Sequence, residues 1–351
     1  MKKKVILGLS VFIVLHMAFM LGGSDFRQAR AAGGSDRLIW TTLNPGTSFY
    51  FTAVGMTQLI NQHTDLKIIL RPMPGPVAGI MAIHDGKAQL GELSDFNTRN
   101  FTYGIISKMV PAVKKAFPEI RMLMGTNYLW RSWFTRPDTG IKTIYDLKGK
   151  KLSYLVPGIF IQNALGEDSL RAAGIDPEKD VTSIKSDNIP GLNQNVKNMK
   201  VDGGLNAITG SGIEEVRATR GLVVIPFPPE IYEKLRPELK DAIDLQEIKA
   251  NYLPGLQATM HLTGFQKYII TNQKLSEETT YTVVKAIMEH AKEIERLGLD
   301  FREYGNKQFA LPAKFKIPFH DGAIRYYKEA GMWKPEHDAR QNKLISELPK
   351  K

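Results

Sequence analysis

Apolar and polar positions along this chain follow two periods that take turns. Leu38 to Leu43 is a short apolar run closed by Asn44-Pro45-Gly46, which predicts a strand and its turn. Ser48 to Gln62 changes to helical spacing, with Phe51, Val54, Leu59 and Ile60 placed on one face. Lys67 to Leu70 reads as a second strand, ended by the stiff Pro72-Met73-Pro74-Gly75-Pro76 loop. Val77 to His84 reads as a short helix that stops near Gly86, and Gln89 to Leu93 as a third strand. Arg121 to Gly125 and Ser132 to Thr135 are further β candidates.

A second unit of the same kind begins near Gly140. Tyr145 to Lys150 predicts a short helix closed by Gly149, Lys151 to Val156 a strand, and Pro157-Gly158 a turn. Ile161 to Ala173 predicts a helix ended by Gly174. Leu222 to Pro226 and Phe265 to Ile270 read as strands. Ser276 to Leu297 is the clearest helix: Ser276 caps it, Glu277 and Glu278 occupy its first turn, and Val283, Val284, Ile287, Ala291 and Ile294 share a face. Strand and helix in this alternation predict an α/β protein of two lobes, each a mostly parallel sheet flanked by helices. The expected division is 36–134 and 264–351 for one lobe and 135–263 for the other. A ligand cleft would lie between them, outside the carboxyl ends of the strands.

The first residues change where such a protein is expected to work. Lys2, Lys3 and Lys4 precede an apolar run from Val5 to Leu21, and Ala29-Arg30-Ala31 supplies small residues at the spacing signal peptidase uses. Export to the periplasm with cleavage after Ala31 is expected; the competing reading is a retained anchor. The chain has no cysteine, so neither disulfides nor a lipid-modified cysteine enter the picture. The export segment through Ala31 carries five basic residues and one acidic residue, which leaves +7 of the formal +11. The remaining charge is dispersed in mixed runs such as Glu289 to Arg296, a pattern that argues against nucleic acid as a partner.

Several short stretches, in order, resemble the TAXI family, the solute-binding subunits of one class of TRAP transporter. They are Thr41 to Tyr50, Met73 to Gly79, Ile83 to Ser94, Thr139-Gly140-Ile141 with Asp146 to Lys150, Pro157-Gly158, Tyr252 to Gly255, and Gly331-Met332-Trp333. The resemblance implies a two-lobed periplasmic binding protein that closes on an organic anion or amino acid and hands it to a membrane permease. It implies a monomer that needs no cofactor. A binding subunit of an ABC importer and a ligand-sensing lobe for a membrane receptor are the alternatives. The chain departs from the family where hydroxyls and backbone donors would hold a carboxylate: Gly75-Pro76 and Gly158-Ile159-Phe160-Ile161 stand in those loops.

The candidate ligand residues follow from these loops. Thr42, Gly46, Thr47 and Tyr50 surround the start of the first helix, where backbone N–H groups favour an anion, although Thr47 or Ser48 also suits a cap. Gly75, Pro76, Ser94 and Phe96 follow the next two strands. Asp95 is expected to cap the helix after it or to pair with a basic group, the cap being favoured. Gly158, Ile159, Phe160 and Gln162 belong to the second lobe's loop, where an Ile-Phe pair either meets ligand or packs in the core. Asn206 and Thr209 are carried over from the family's further second-lobe contact. Trp130, Arg131 and Trp133 cluster near the expected hinge, where Arg131 suits a carboxylate and either Trp an aromatic ring; a hinge strand with one buried face is the alternative.

Catalytic patterns are sparse. With no cysteine, thiol chemistry is excluded, and the seven histidines show no metal-ligand spacing. Neither a Gly-x-Ser-x-Gly elbow nor a phosphate-binding loop with its lysine is present. An enzyme is not expected.

Overall fold

The strands that carry this fold run β1 Arg37–Thr42, β2 Lys67–Pro72, β3 Leu90–Ser94, β4 Ile120–Thr135 and β5 Lys151–Ser153. They continue as β6 Thr182–Ser183, β7 Gly203–Ala207, β8 Val223–Val224, β9 Asp244–Ile248 and β10 Met260–Asn272. A computed structural model of the chain describes residues 37–105, 115–254, 256–302 and 304–350. The expected export segment, its cleavage point after Ala31, and Gly255 lie outside the described residues.

All ten strands join one mixed sheet in the order β2-β1-β3-β10-β4-β7-β5-β6, with β8 on β4 and β9 on β10. Its two ends are parallel. Strand β1 pairs in register with β2 from Arg37↔Lys67 to Thr42↔Pro72 and with β3 at Trp40↔Leu90, while β5 pairs in parallel with β6 and β7. Each of these neighbours is reached through a helix, which returns the chain to the same edge and makes the pair parallel. The centre is antiparallel: β4 and β10 lie side by side from Thr263↔Arg131 to Asn272↔Ile120. These two strands bind β3 near one end and β7, β8 and β9 near the other, so they tie the two α/β halves together.

The first six helices are α1 Ser48–His63, α2 Pro76–His84, α3 Asp95–Tyr103, α4 Phe160–Ala172, α5 Ile189–Lys197 and α6 Ser211–Arg220. Helix α1 starts where Thr47 Oγ1 accepts from the Tyr50 N–H at 3.2 Å. Its buried face is Phe49, Ala53, Met56 and Ile60, whereas Val54 is exposed. Of the expected face, Leu59 and Ile60 are buried and Phe51 meets the Phe301 ring at 5.1 Å, and only Val54 departs from it; Gly55 lets Phe301 approach, where a Cβ would come within 2.5 Å of its ring. The Ser276 cap and the buried face Val283, Val284, Ile287, Ala291 and Ile294 appear as expected, though the long helix ends at His290 and a short one follows over Lys292–Glu295.

Under the sheet lies one large apolar core, from Trp40 through Ile120, Leu152, Ile269 and Val283 to Trp333. Burial of that much apolar surface is the main stabilising term. A fully buried ion pair sits within it: Lys267 Nζ is 3.2 Å from Glu92 Oε2. Glu92 also accepts from Thr52 and Thr126, at 2.7 and 2.8 Å, and from Tyr304. Every charged atom there is matched, as burial requires. Asp95 does not provide the cap of α3. Ser94 Oγ does so, accepting from the Asn97 N–H at 3.2 Å, and buried Asp95 instead pairs with Lys316 at 2.7 Å. Burial pushes the Asp95 carboxyl up, and Lys316 pulls it the other way.

Candidate anion-binding cleft

The loops after β1, β2, β3, β5 and β7 leave the sheet at the carboxyl ends of their strands. Those after β1, β2, β3 and β5 enclose a pocket lined by Leu43, Phe49, Pro76, Val77, Leu93, Ser94, Asn97, Arg131, Gly158, Ile159, Phe160, Ile161 and Phe265. Its walls therefore come from both halves of the sheet: α1 to α3 on one side, the start of α4 on the other. A second depression, which shares Leu43 and Ile159, continues past Thr47 to Pro157 and Pro190. The first pocket holds about 40 Å³ of free space. That is room for a few waters, so a ligand with a carbon skeleton requires the walls to part.

Arg131 is the only charged residue in that lining. It is 6% exposed, and its Nη1 donates to Gln162 Oε1 at 2.8 Å. Its Nε has no partner, and no carboxylate lies within salt-bridge distance of it among the described residues. The guanidinium sits 5.2 Å from the centroid of the Phe265 ring. Burial alone pushes its pKa down to about 10, so it stays cationic at neutral pH. A buried cation without an anion is costly, and an anion brought into the pocket would remove that cost.

Two helix starts add to the positive field. Helix α2 begins at Gly75 and α4 at Ile159, and neither residue supplies a side-chain acceptor to the free N–H groups of the first turn. Neither first turn contains an acid. Uncapped N–H groups and the helix dipole both favour negative charge. The rest of the wall is apolar. The arrangement is suited to a molecule with one anionic end and a hydrocarbon body, held by few polar contacts.

Beside this pocket the two halves meet at Asp300. Its buried Oδ1 accepts from Ser48 Oγ at 2.7 Å, from Thr209 Oγ1 at 2.8 Å and from Asn127 Nδ2 at 3.4 Å. Ser48 opens α1, and Thr209 follows β7. The backbones also touch there: the Gly212 N–H donates to Gly46 O at 3.3 Å. Gly46 and Gly210 have φ of +92° and +98°, and a Cβ on Gly210 would lie 3.0 Å from Ser48 N. Positive φ and close approach together restrict both positions to glycine.

Six of the expected site residues come together in the pocket: Pro76, Ser94, Arg131, Gly158, Ile159 and Phe160. Gln162 stands behind them as the partner of Arg131, and Thr47 lines the adjoining depression. Gly75 is the residue from which α2 starts, and Gly46 packs against Pro190. Thr42 is buried at the end of β1 with an unpaired hydroxyl, while Tyr50 is half-buried in the first turn of α1. Neither lines the pocket, and Phe96 is likewise in the core. Trp130 and Arg131 alternate across β4, so Trp130 faces a separate cluster with Ile208 and Leu262 and stacks on Tyr128. Trp133 shares the face of Arg131 but is covered by α4, where its Nε1 donates to Ser169 at 2.9 Å. Asn206 pairs with Asn193 at 3.0 Å, and Thr209 bonds Asp300. Sequence reasoning passed over Phe49, Asn97, Phe265 and Asp300. Phe49 and Asn97 each stand within the first turn of a helix that opens on the cleft, which is a readable signal; Asp300 gives none.

A two-domain α/β architecture with its cleft at the strand ends is the fold of periplasmic solute-binding proteins. The profile of the NMT1-like family matches residues 41–331, and the chain belongs to that family. Among solved structures, one titled as a periplasmic transporter is 12% identical with a TM-score of 0.52, over 87% of this chain and 95% of that one. PhnD1 from Prochlorococcus marinus, in complex with methylphosphonate, is 8% identical with a TM-score of 0.50, over 85% and 99%. The alkanesulfonate-binding protein SsuA from Xanthomonas axonopodis pv. citri, bound to MOPS, is 13% identical with a TM-score of 0.44, over 91% and 86%.

Proposed function

We propose that this chain is an extracytoplasmic solute-binding subunit that captures a small organic anion with an apolar body. The observation that carries this is Arg131: a buried guanidinium, without an acidic partner among the described residues, in an apolar pocket walled by both halves. The ligand's charge meets Arg131 and the free N–H groups of α2 and α4, and its body lies against Val77, Ile159, Phe160 and Phe265. Residues 36–134 with 264–351 form one lobe and 135–263 the other, and closure over the ligand makes the form a permease accepts. The sequence resemblance supports a TRAP-type permease of the TAXI class as that partner.

A thermal-shift screen of the protein against aliphatic and aromatic carboxylates, dicarboxylates, 2-oxo acids and amino acids tests the ligand class. A true ligand at ~100-fold excess over its Kd should stabilise by about 2.7 kcal/mol. Arg131→Ala should weaken it more than tenfold, about 1.4 kcal/mol or more. A response to neutral sugars and to none of the anions would overturn the reading. Uptake by reconstituted vesicles that depends on ATP and ignores an ion gradient would reject the TRAP partner in favour of an ABC importer.

A further inference from the structure

His63 converges at one surface point with His290 and Glu293, which lie far from it in sequence and three residues from each other. His63 is the last residue of α1, His290 the last of the helix Glu277–His290, and Glu293 belongs to the short helix that follows. His63 Nε2 lies 2.8 Å from one Glu293 oxygen and His290 Nδ1 lies 2.9 Å from the other. All three potential ligand atoms fall within 4.8 Å of one another. This spacing is what the seven histidines fail to show along the chain, because 230 residues separate His63 from Glu293.

We propose that His63, His290 and Glu293 form a site for a divalent late-transition-metal ion of the zinc class, with a fourth position left to water. Two imidazole nitrogens and a carboxylate oxygen are a ligand set this ion takes at about 2.0–2.2 Å. The electrostatics point the same way. The site lies where α1 ends, so the negative end of that helix dipole faces it, and the Glu293 carboxylate adds a full charge. In the metal-free arrangement each imidazole donates to Glu293; to bind the ion each ring presents the same nitrogen unprotonated, its remaining proton carried on the other ring nitrogen and any second proton released to water.

The rings set one geometric condition. They stack 3.5 Å apart with planes 7° from parallel, so an ion in the plane of both requires them to splay. Both side chains have room for this, being 21% and 32% exposed. The bound ion would clip the end of α1 to the end of the helix Glu277–His290 and so fasten two packed elements of the same half.

The test uses tag-free protein stripped with chelator and titrated calorimetrically with Zn²⁺, and separately with Co²⁺ followed by visible absorption. The expected result is one ion per chain, a tetrahedral or five-coordinate Co²⁺ spectrum, and a raised melting temperature. His290→Ala and His63→Gln should each weaken Zn²⁺ at least tenfold, and Glu293→Gln, an exposed change that leaves the fold intact, should do the same. Absence of saturable binding in the wild type would overturn the proposal. So would unchanged Zn²⁺ affinity in the His290→Ala and Glu293→Gln variants, which would place any bound ion elsewhere.

Discussion

Arg131 donates from Nη1 to the neutral side chain of Gln162, 2.8 Å away. A buried arginine is ordinarily matched by a carboxylate. Here the matching residue has the length of a glutamate but none of its charge. Gln162 therefore orients the guanidinium without neutralising it, and leaves its charge for a ligand.

This relationship yields a substitution with two opposite effects. Gln162→Glu supplies the missing anion from within the protein. It should raise the melting temperature of the ligand-free protein and weaken anionic ligands at least tenfold, because the ligand must then compete with an internal carboxylate. Calorimetric titration beside thermal denaturation checks both. Tighter binding of an anion by the Glu variant would mean that Arg131 does not receive the ligand's charge.

Asp300 carries a different expectation. It joins Ser48 at the start of α1 to Thr209 after β7, and bonds to a charged acceptor contribute about 1.5–3 kcal/mol each. Thr209→Val removes the side-chain bond from Thr209 to Asp300 and leaves the Gly212–Gly46 backbone bond between the halves in place. It should favour the open form, seen as a larger radius of gyration by small-angle scattering without ligand and as weaker binding by up to about tenfold. Equal scattering and equal affinity in wild type and variant would show that closure does not use this bond.

Strands β1, β2, β3 and β5 were legible because each is a short apolar run between turn residues, and their parallel pairing follows from the helices that separate them; β6, β7 and β9, short and partly polar or glycine-rich, were not read. The central pair was read only in pieces. Thr126 and Asn127 interrupt β4, and only the middle of β10, from Phe265 to Ile270, was read; Thr126 and Gln266 are buried because partners distant in sequence satisfy them, Glu92 for Thr126 and the Phe309 carbonyl for Gln266. Arg131 could be singled out as a lone cation in an aromatic strand. What the sequence could not show is which side of β4 each neighbour takes once α4 covers Trp133, or that Asp300 would arrive beside Ser48 from 252 residues away.

The Lys267–Glu92 pair should behave as an interior charge pair does. Glu92→Gln strands a fully buried ammonium and weakens the bonds from Thr52, Thr126 and Tyr304, at a cost of about 3–5 kcal/mol in stability. The double variant Glu92→Leu with Lys267→Met removes both charges and should recover most of that loss. Denaturant midpoints of the two variants measure this; equal destabilisation in both would show that packing, and not the unpaired charge, sets the cost.

Alkaline pH supplies the last expectation. Tyr268, Tyr304 and Tyr327 are buried, and loss of hydration raises each hydroxyl well above 10; Tyr304 is raised further by Glu92 beside it. The sign follows from proton linkage. Above about pH 10 these tyrosines ionise in the unfolded chain but keep their protons in the folded one, so the folded state binds more protons and stability falls as pH rises. Below that pH the three contribute no slope. Melting temperatures measured between pH 8 and about 11.5 should be flat at first and then fall steeply, with a tyrosinate absorbance change that accompanies unfolding instead of preceding it. Tyr304→Phe removes one of the three and should make the fall shallower, although it costs stability at neutral pH by leaving Glu92 one donor short. A tyrosinate signal from the folded protein near pH 10 for all its tyrosines would contradict the burial of these hydroxyls.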